Sequence, residues 1–244
     1  MMSFLIFLRS IWSVVILFIT TFMAVFFSLL LLPLPLKHTV FNFIIKNWAR
    51  LNLFISGIHV RITGLENIED KSYVIVSNHE SVLDIFAIYA KLPLDFRMVS
   101  KKEMLKLPLL GFVMKQYLFP LVNRSDSDEA IEAMNSTFSK LQLNNLSVCI
   151  FPEGTRQGGK QILPFKKGAF VLALNYGLPI LPVVIRGAGD ITPRGSLLVK
   201  PGKVYLDVLP AVSSRYKTMN DRNELLYQIE SQYREFLKEK NYLP

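Results

Sequence analysis

The chain predicts an α/β fold, with a mostly parallel sheet flanked by helices, preceded by an N-terminal two-helix membrane-anchoring motif. Three observations carry that expectation. After Gly57, short apolar runs alternate with helical patterns; the run from Ser10 to Leu36 holds no charged residue; and the segment after it repeats its apolar residues at helical spacing. At 244 residues the chain suffices for one domain with a proper core plus an appendage, divided here as 1–56 and 57–244. It contains no internal repeat and no low-complexity linker.

Pro33 and Pro35 should end the first helix near Leu32, because proline removes a backbone donor and disfavours helix in the residue before it. What precedes them is long enough to cross a hydrocarbon layer of ~30 Å. The run is too long for a cleaved signal peptide, and no small-x-small site follows it. In the second segment Phe41, Ile44, Ile45, Trp48, Leu51 and Ile55 share a helical stripe, while Lys46 and Arg50 lie elsewhere on the wheel. Such a helix suits a lipid interface, with its tryptophan at headgroup level.

The strands expected next are 59–62, 73–76, 96–99, 118–122, 148–151 and 180–185. Helices fall between them, among them 128–141, where Ile131, Met134, Phe138 and Leu141 share one face. Lys200-Pro201-Gly202-Lys203 reads as a turn between two short strands, and 223–238 as a closing helix. The polar motifs lie at strand ends, where sheets of this kind hold ligands.

Lysine and arginine number 28 against 19 acids, a net charge of +9. That excess suits an anionic lipid surface or an acidic carrier protein. Nucleic acid is the weaker reading, since no element shows the regular basic and aromatic display of its binding modules. The single cysteine, Cys149, rules out a disulfide framework and suits a reducing compartment.

Chemistry concentrates in Asn78-His79-Glu80-Ser81-Val82-Leu83-Asp84. Histidine can take a proton near neutral pH and return it, and a carboxylate on its far nitrogen fixes the tautomer. Five residues span about 500° of an α-helix, so His79 and Asp84 cannot meet on a continuous one. His79 is therefore expected on a strand-to-helix loop, with Ser81 near the N-cap and Asp84 in the first turn pointing back. His38 and His59 have no acid placed to orient them and read as structural.

A second constellation, Phe151-Pro152-Glu153-Gly154-Thr155-Arg156, follows an apolar strand directly. Pro152 and Gly154 favour a turn on which backbone can approach a ligand, and Arg156 offers a planar fork of donors suited to phosphate oxygens. Glu153 cannot attract a phosphate and is expected to orient Arg156 or a loop amide. Cys149, inside the apolar run, is a poor nucleophile.

The first of these stretches resembles the first motif of the glycerolipid acyltransferase family, closely that of its 1-acylglycerol-3-phosphate acyltransferases. Leu118 to Arg124 resembles the second motif, Phe151 to Arg156 the third, and Leu178-Pro179-Ile180-Leu181-Pro182-Val183 the fourth; Pro164 to Ala169 is also typical. The resemblance covers roughly 57–210. It implies that His79, oriented by Asp84, deprotonates the free hydroxyl of lysophosphatidic acid. That hydroxyl attacks an acyl thioester directly, without an acyl-enzyme, and phosphatidic acid is the product. It also implies phosphate binding by Arg156 with Glu153, Gly154 and Thr155, and adds Lys101 and Arg124. Lys166 and Lys167 could serve the acceptor phosphate or the donor. The co-substrate would be acyl-CoA or an acyl carrier protein thioester, with no other cofactor and no metal. The two N-terminal helices would form a hairpin dipping into one leaflet, although composition alone equally permits a span. The catalytic domain would lie on the cytoplasmic side. Glycerol-3-phosphate or a larger lysophospholipid is an alternative acceptor. A non-catalytic lipid-binding protein is the rival class, against which the His79–Asp84 pair speaks. No Gly-x-Ser-x-Gly elbow supports a hydrolase.

Overall fold

The computed structural model describes residues 2–242 apart from Lys71, Arg124, Gly159, Lys160, Arg194 and Leu197. Two helices, α1 (Met2–Leu30) and α2 (Lys37–Ile55), come first. They are followed by β1 (Ile58–Thr63), β2 (Val74–Ser77), α3 (Leu83–Lys91), β3 (Phe96–Met98), β4 (Ser100–Lys101), α4 (Pro108–Gln116) and β5 (Leu121–Val122). The chain continues through α5 (Ser127–Leu143), β6 (Ser147–Ile150), α6 (Gly168–Tyr176), β7 (Ile180–Arg186), α7 (Ala188–Ile191), β8 (Gly202–Val208) and α8 (Arg222–Glu239).

Six strands form one sheet in the order β1-β8-β7-β2-β6-β3. Every neighbouring pair is parallel except β7 and β8. The sheet separates two apolar layers: α2, α3 and α4 pack on one face, and α5, α6 and α8 on the other. β2, β6 and β7 are buried on both faces, which is why they read as unbroken apolar runs.

α1 and α2 run antiparallel. Trp48 Nε1 donates to Thr21 Oγ1 at 3.2 Å, and Asn52 Nδ2 to Thr20 Oγ1 at 3.0 Å. Near the other end Arg9 Nη2 donates to the carbonyl of Ser56 at 2.5 Å, placing a cation on the carboxyl end of α2, where the helix dipole favours it. Gly57 makes room for that guanidinium: its φ is +61°, and a Cβ there would lie 1.9 Å from Arg9 Nη2. The hairpin belongs to the same core as the sheet, since Val25, Phe41, Ala49 and Leu53 are buried in the layer that holds Phe86 and Met98.

Arg97 ties this layer together from a fully buried position. Its Nε donates to the carbonyl of Tyr117 at 2.7 Å and its Nη1 to Asn42 Oδ1 at 2.5 Å and Phe96 O at 2.9 Å. The ring of Phe41, stacked on Tyr117 at 4.1 Å, lies against the same guanidinium. Burial lowers its pKa to about 10, which leaves it charged at neutral pH.

Three expected elements differ. α1 stops at Leu30, and the chain turns before Pro33. The strand expected over 118–122 shrinks to Leu121–Val122, pairing with β4 outside the main sheet. Its cause is Leu118 at φ +64°, a left-handed residue that closes α4 and cannot be extended strand. The turn expected at 200–203 is instead the start of β8, with α7 and irregular chain before it. Gly202 is needed there because Ile191 fills the space a Cβ would take.

Candidate active site

β2 leaves the sheet through a substitution of side chain for backbone. Asn78 Oδ1 accepts from the amide of Ile185 at 2.7 Å, and Asn78 Nδ2 donates to the carbonyl of the same residue at 2.9 Å. The carboxamide thus extends the β2–β7 ladder by one rung, while the main chain is released to turn. His79 follows on that turn.

Asp84, fully buried in the first turn of α3, gathers the loop onto one oxygen. Its Oδ2 accepts from the amides of Glu80 at 2.7 Å and Ser81 at 2.9 Å and lies 2.7 Å from His79 Nδ1. The loop geometry thus brings His79 and Asp84 together as their spacing requires. Ser81 lies near the N-cap as expected, one residue before Val82; its hydroxyl accepts from the amide of Leu83 at 3.4 Å and donates to the carbonyl of Thr192 at 3.2 Å. Burial pushes the Asp84 carboxyl up, against the two amides and the charge of Arg156. An oxygen that already takes two amide donors suits an Nδ1–H donor as well, which leaves Nε2 the nitrogen suited to accept a proton.

The third motif packs directly against the first. The ring of Phe151 stacks on His79 at 3.9 Å, and the amide of His79 donates to Glu153 Oε1 at 2.9 Å. Glu153 Oε2 accepts from the amide of Leu163 at 3.0 Å. The amides of Gln157 and Gly158 donate to the carbonyls of His79 and Glu80, at 2.8 and 3.0 Å. Glu153 therefore orients loop amides, one of its two expected roles. Gly154 takes φ +72°, which lets Glu153 turn inward while Thr155 and Arg156 stay exposed.

One cavity of about 370 Å³ joins these parts. His79, Lys101 and Arg156 line it together with mostly apolar walls, Phe41, Trp48, Tyr89 and Val113 among them. Lys101 and Arg156, far apart in sequence, thus share a space with His79. Arg124 lies outside the described residues.

Sequence reasoning gave no role to Asn78, Glu80 or Phe151. Asn78 and Phe151 act through strand adjacency, and no local pattern carries that information. Glu80, 2% exposed, accepts from the amide of Gly189 at 3.1 Å. Burial raises its pKa to about 7, and burial does the same for Glu153.

Both groups would titrate near 4.5 in the unfolded chain, so between about 4.5 and 7 the folded protein binds more protons and stability falls as pH rises. Thermal melts should be highest near pH 5 and drop toward pH 8. Glu80→Gln, which removes one of these carboxyls, should flatten the profile; an unchanged slope would exclude Glu80 as a source.

The profile of the acyltransferase family matches residues 59–186. The 1-acyl-sn-glycerol-3-phosphate acyltransferase of Saccharomyces cerevisiae is 30% identical over 243 residues, covering 99% of this chain and 80% of the yeast protein. The human 1-acyl-sn-glycerol-3-phosphate acyltransferase beta is 32% identical over 191 residues, 76% of this chain and 69% of that protein. Of the similarly named Limnanthes alba protein, 32% identical over 75% of this chain, the match spans 65%. The crystal structure of the 1-acyl-sn-glycerophosphate (LPA) acyltransferase PlsC from Thermotoga maritima superposes with a TM-score of 0.81 at 25% identity, covering 99% of this chain and 98% of that one. The match over more than half its length, with the buried His79–Asp84 pair inside it, makes this chain a member of the acyltransferase family.

Proposed function

We propose that the protein transfers a fatty acyl group from a thioester to the free hydroxyl of 1-acyl-sn-glycerol 3-phosphate, giving phosphatidic acid. The observation that carries this reading is one mostly apolar cavity lined by a histidine and two cations, the groups that a hydroxyl, a phosphate and a hydrocarbon chain require. The names of the relatives support the same acceptor.

His79 Nε2 removes the hydroxyl proton as the oxygen attacks the thioester carbonyl; the C–S bond then breaks, and the imidazolium returns the proton to the departing thiolate. Asp84 stabilises that imidazolium. No acyl-enzyme is needed, and Cys149, inside the sheet with burial pushing its thiol up, is not a nucleophile. Arg156 and Lys101 hold the phosphate. The purified protein should convert lysophosphatidic acid and an acyl thioester to phosphatidic acid, detected by mass. Arg156→Ala should raise KM for the acceptor about ten- to a hundred-fold, the worth of a charged hydrogen bond, and KM for the thioester much less. Equal losses on both substrates would assign Arg156 to loop support.

The same reading places the protein on one leaflet of a membrane, on the cytoplasmic side where acyl thioesters are supplied. Among the described residues one helix, Ile6–Leu30, is long and apolar enough to cross a bilayer. Yet α1 touches the body along its length: Ser10 Oγ accepts from the amide of Val199, and Tyr117 donates to the carbonyl of Ser28. These contacts at both ends support a helix lying along the body over one standing alone across a bilayer. Its outer face, with Phe18 72% and Phe22 60% exposed, suits shallow insertion. Phe18→Asp combined with Phe22→Asp should weaken vesicle flotation. A tag at the N-terminus should be digested by protease from the same side as the catalytic domain; its protection in sealed vesicles would establish a span.

A further inference from the structure

A second concavity, of about 470 Å³, lies on the opposite face of the sheet, between α5, α6 and the start of α8. It shares Val99 and Phe151 with the His79 cavity. The two spaces therefore meet over the carboxyl ends of β3 and β6, at the ring stacked on His79. Their linings differ in kind. The groove draws its charge from Lys166, Lys167 and Arg222, and the first residues of α6, Gly168 and Ala169, open onto it. Amides in the first turn of a helix have no acceptor within it and favour an anion. Arg222 is half-buried; its Nη2 reaches Asn223 Oδ1 at 3.5 Å, and its Nε has no hydrogen-bond partner among the described residues. Two acids also line the groove. Asp126 is committed to the amides of Asp128 and Glu129 as the cap of α5, and Asp128 is exposed.

We propose that this groove binds the phosphate of the 4′-phosphopantetheine arm by which the thioester donor is carried. The proposal rests on the acyl-transfer reading above. A phosphate held by Lys167, Arg222 and the α6 amides leaves the arm to cross the rim at Phe151 and bring its thioester to His79. The acceptor, held by Arg156 and Lys101, approaches from the other face. Donor and acceptor phosphates then occupy different basic sites, and the two substrates meet only at the histidine. This arm is common to coenzyme A and to acyl carrier protein.

The test compares four donors with one acyl chain: acyl-CoA, acyl carrier protein, acyl-4′-phosphopantetheine and acyl-pantetheine, which lacks the phosphate. The full-length protein should prefer acyl-4′-phosphopantetheine to acyl-pantetheine about ten-fold in kcat/KM, and Lys167→Glu or Arg222→Gln should collapse that preference. KM for lysophosphatidic acid should move less than two-fold. Where acyl-CoA and acyl carrier protein both lose, the shared phosphate is the group read. A loss restricted to acyl-CoA would assign the groove to the nucleotide and overturn the proposal, as would an undiminished preference or a rise in KM for the acceptor. Lys167→Gln guards against misfolding by Lys167→Glu, with melts compared, and Lys140→Glu on the outside of α5 is the neutral control. Titration with 4′-phosphopantetheine alone separates the two readings. Binding by the parent that weakens about ten-fold in Lys167→Gln supports the groove even if lysophosphatidic acid proves not to be the acceptor. No binding by the parent refutes the groove even if lysophosphatidic acid is acylated.

Discussion

His79→Ala should abolish acyl transfer, by at least about a thousandfold in kcat, while the protein stays folded and membrane-bound. General base catalysis contributes roughly 10²–10⁴ in rate, and here the imidazole would also return the proton to the leaving thiolate. Asp84→Asn should come close to the same loss with little change in KM, because it removes the charge that stabilises the imidazolium rather than a substrate contact. The carboxylate has a second duty, since the same oxygen accepts from the amides of Glu80 and Ser81. The asparagine oxygen can retain those contacts, so the loop keeps its course and the loss falls on the chemistry. Near-normal turnover in His79→Ala would remove the histidine from the mechanism.

Arg97→Ala should be the most destabilising single change in the body. It strips a buried donor from the carbonyls of Tyr117 and Phe96 and from Asn42 Oδ1, and it leaves a cavity between α2 and β3. Unpaired buried acceptors cost about 1–3 kcal/mol each, so a loss of 3 kcal/mol or more is expected, roughly 6–12 °C in the melting temperature of a chain this size. Asn42→Leu should give a smaller loss of the same kind, because it orphans one donor of a charge that remains. A melt within a degree or two of the parent for Arg97→Ala would show that the core repacks. The same contacts bear on truncation. Removing residues 1–56 uncovers Arg97, Phe86 and Met98 together, so the remainder should aggregate rather than behave as a soluble domain.

Much of this was legible in the residues. Runs such as Val148-Cys149-Ile150 announce strands buried on both faces, and the five-residue spacing of His79 and Asp84 forces the loop on which they meet. What escaped depends on pairing between distant segments. The left-handed turn at Leu118 is set by the end of α4, so a run that alternates like a strand is not one. β8 joins the sheet antiparallel to β7 and parallel to β1, an order that periodicity does not encode. The burial of Arg97 is not legible in sequence, because groups that bond it come from residues 42 and 117. Similarly, Lys101 and Arg156 become neighbours only once β4 and the end of β6 lie side by side on the rim.

The amide rung made by Asn78 gives the site its own gauge. The proton on Ile185 N is held by a side chain, not by a strand, and that side chain belongs to the residue next to the histidine. Any excursion that lifts the loop from the sheet must first give up this one bond, whereas the amide of Val183 donates to the hydroxyl of Tyr233 at 3.0 Å and Val184 pairs with β8. Ile185 should therefore exchange with deuterium faster than Val184 when the loop breathes, and slow toward it when a ligand pins His79. Asp in place of Asn78 would set an acceptor against the carbonyl of Ile185, and that single amide would be the first in β7 to lose its protection.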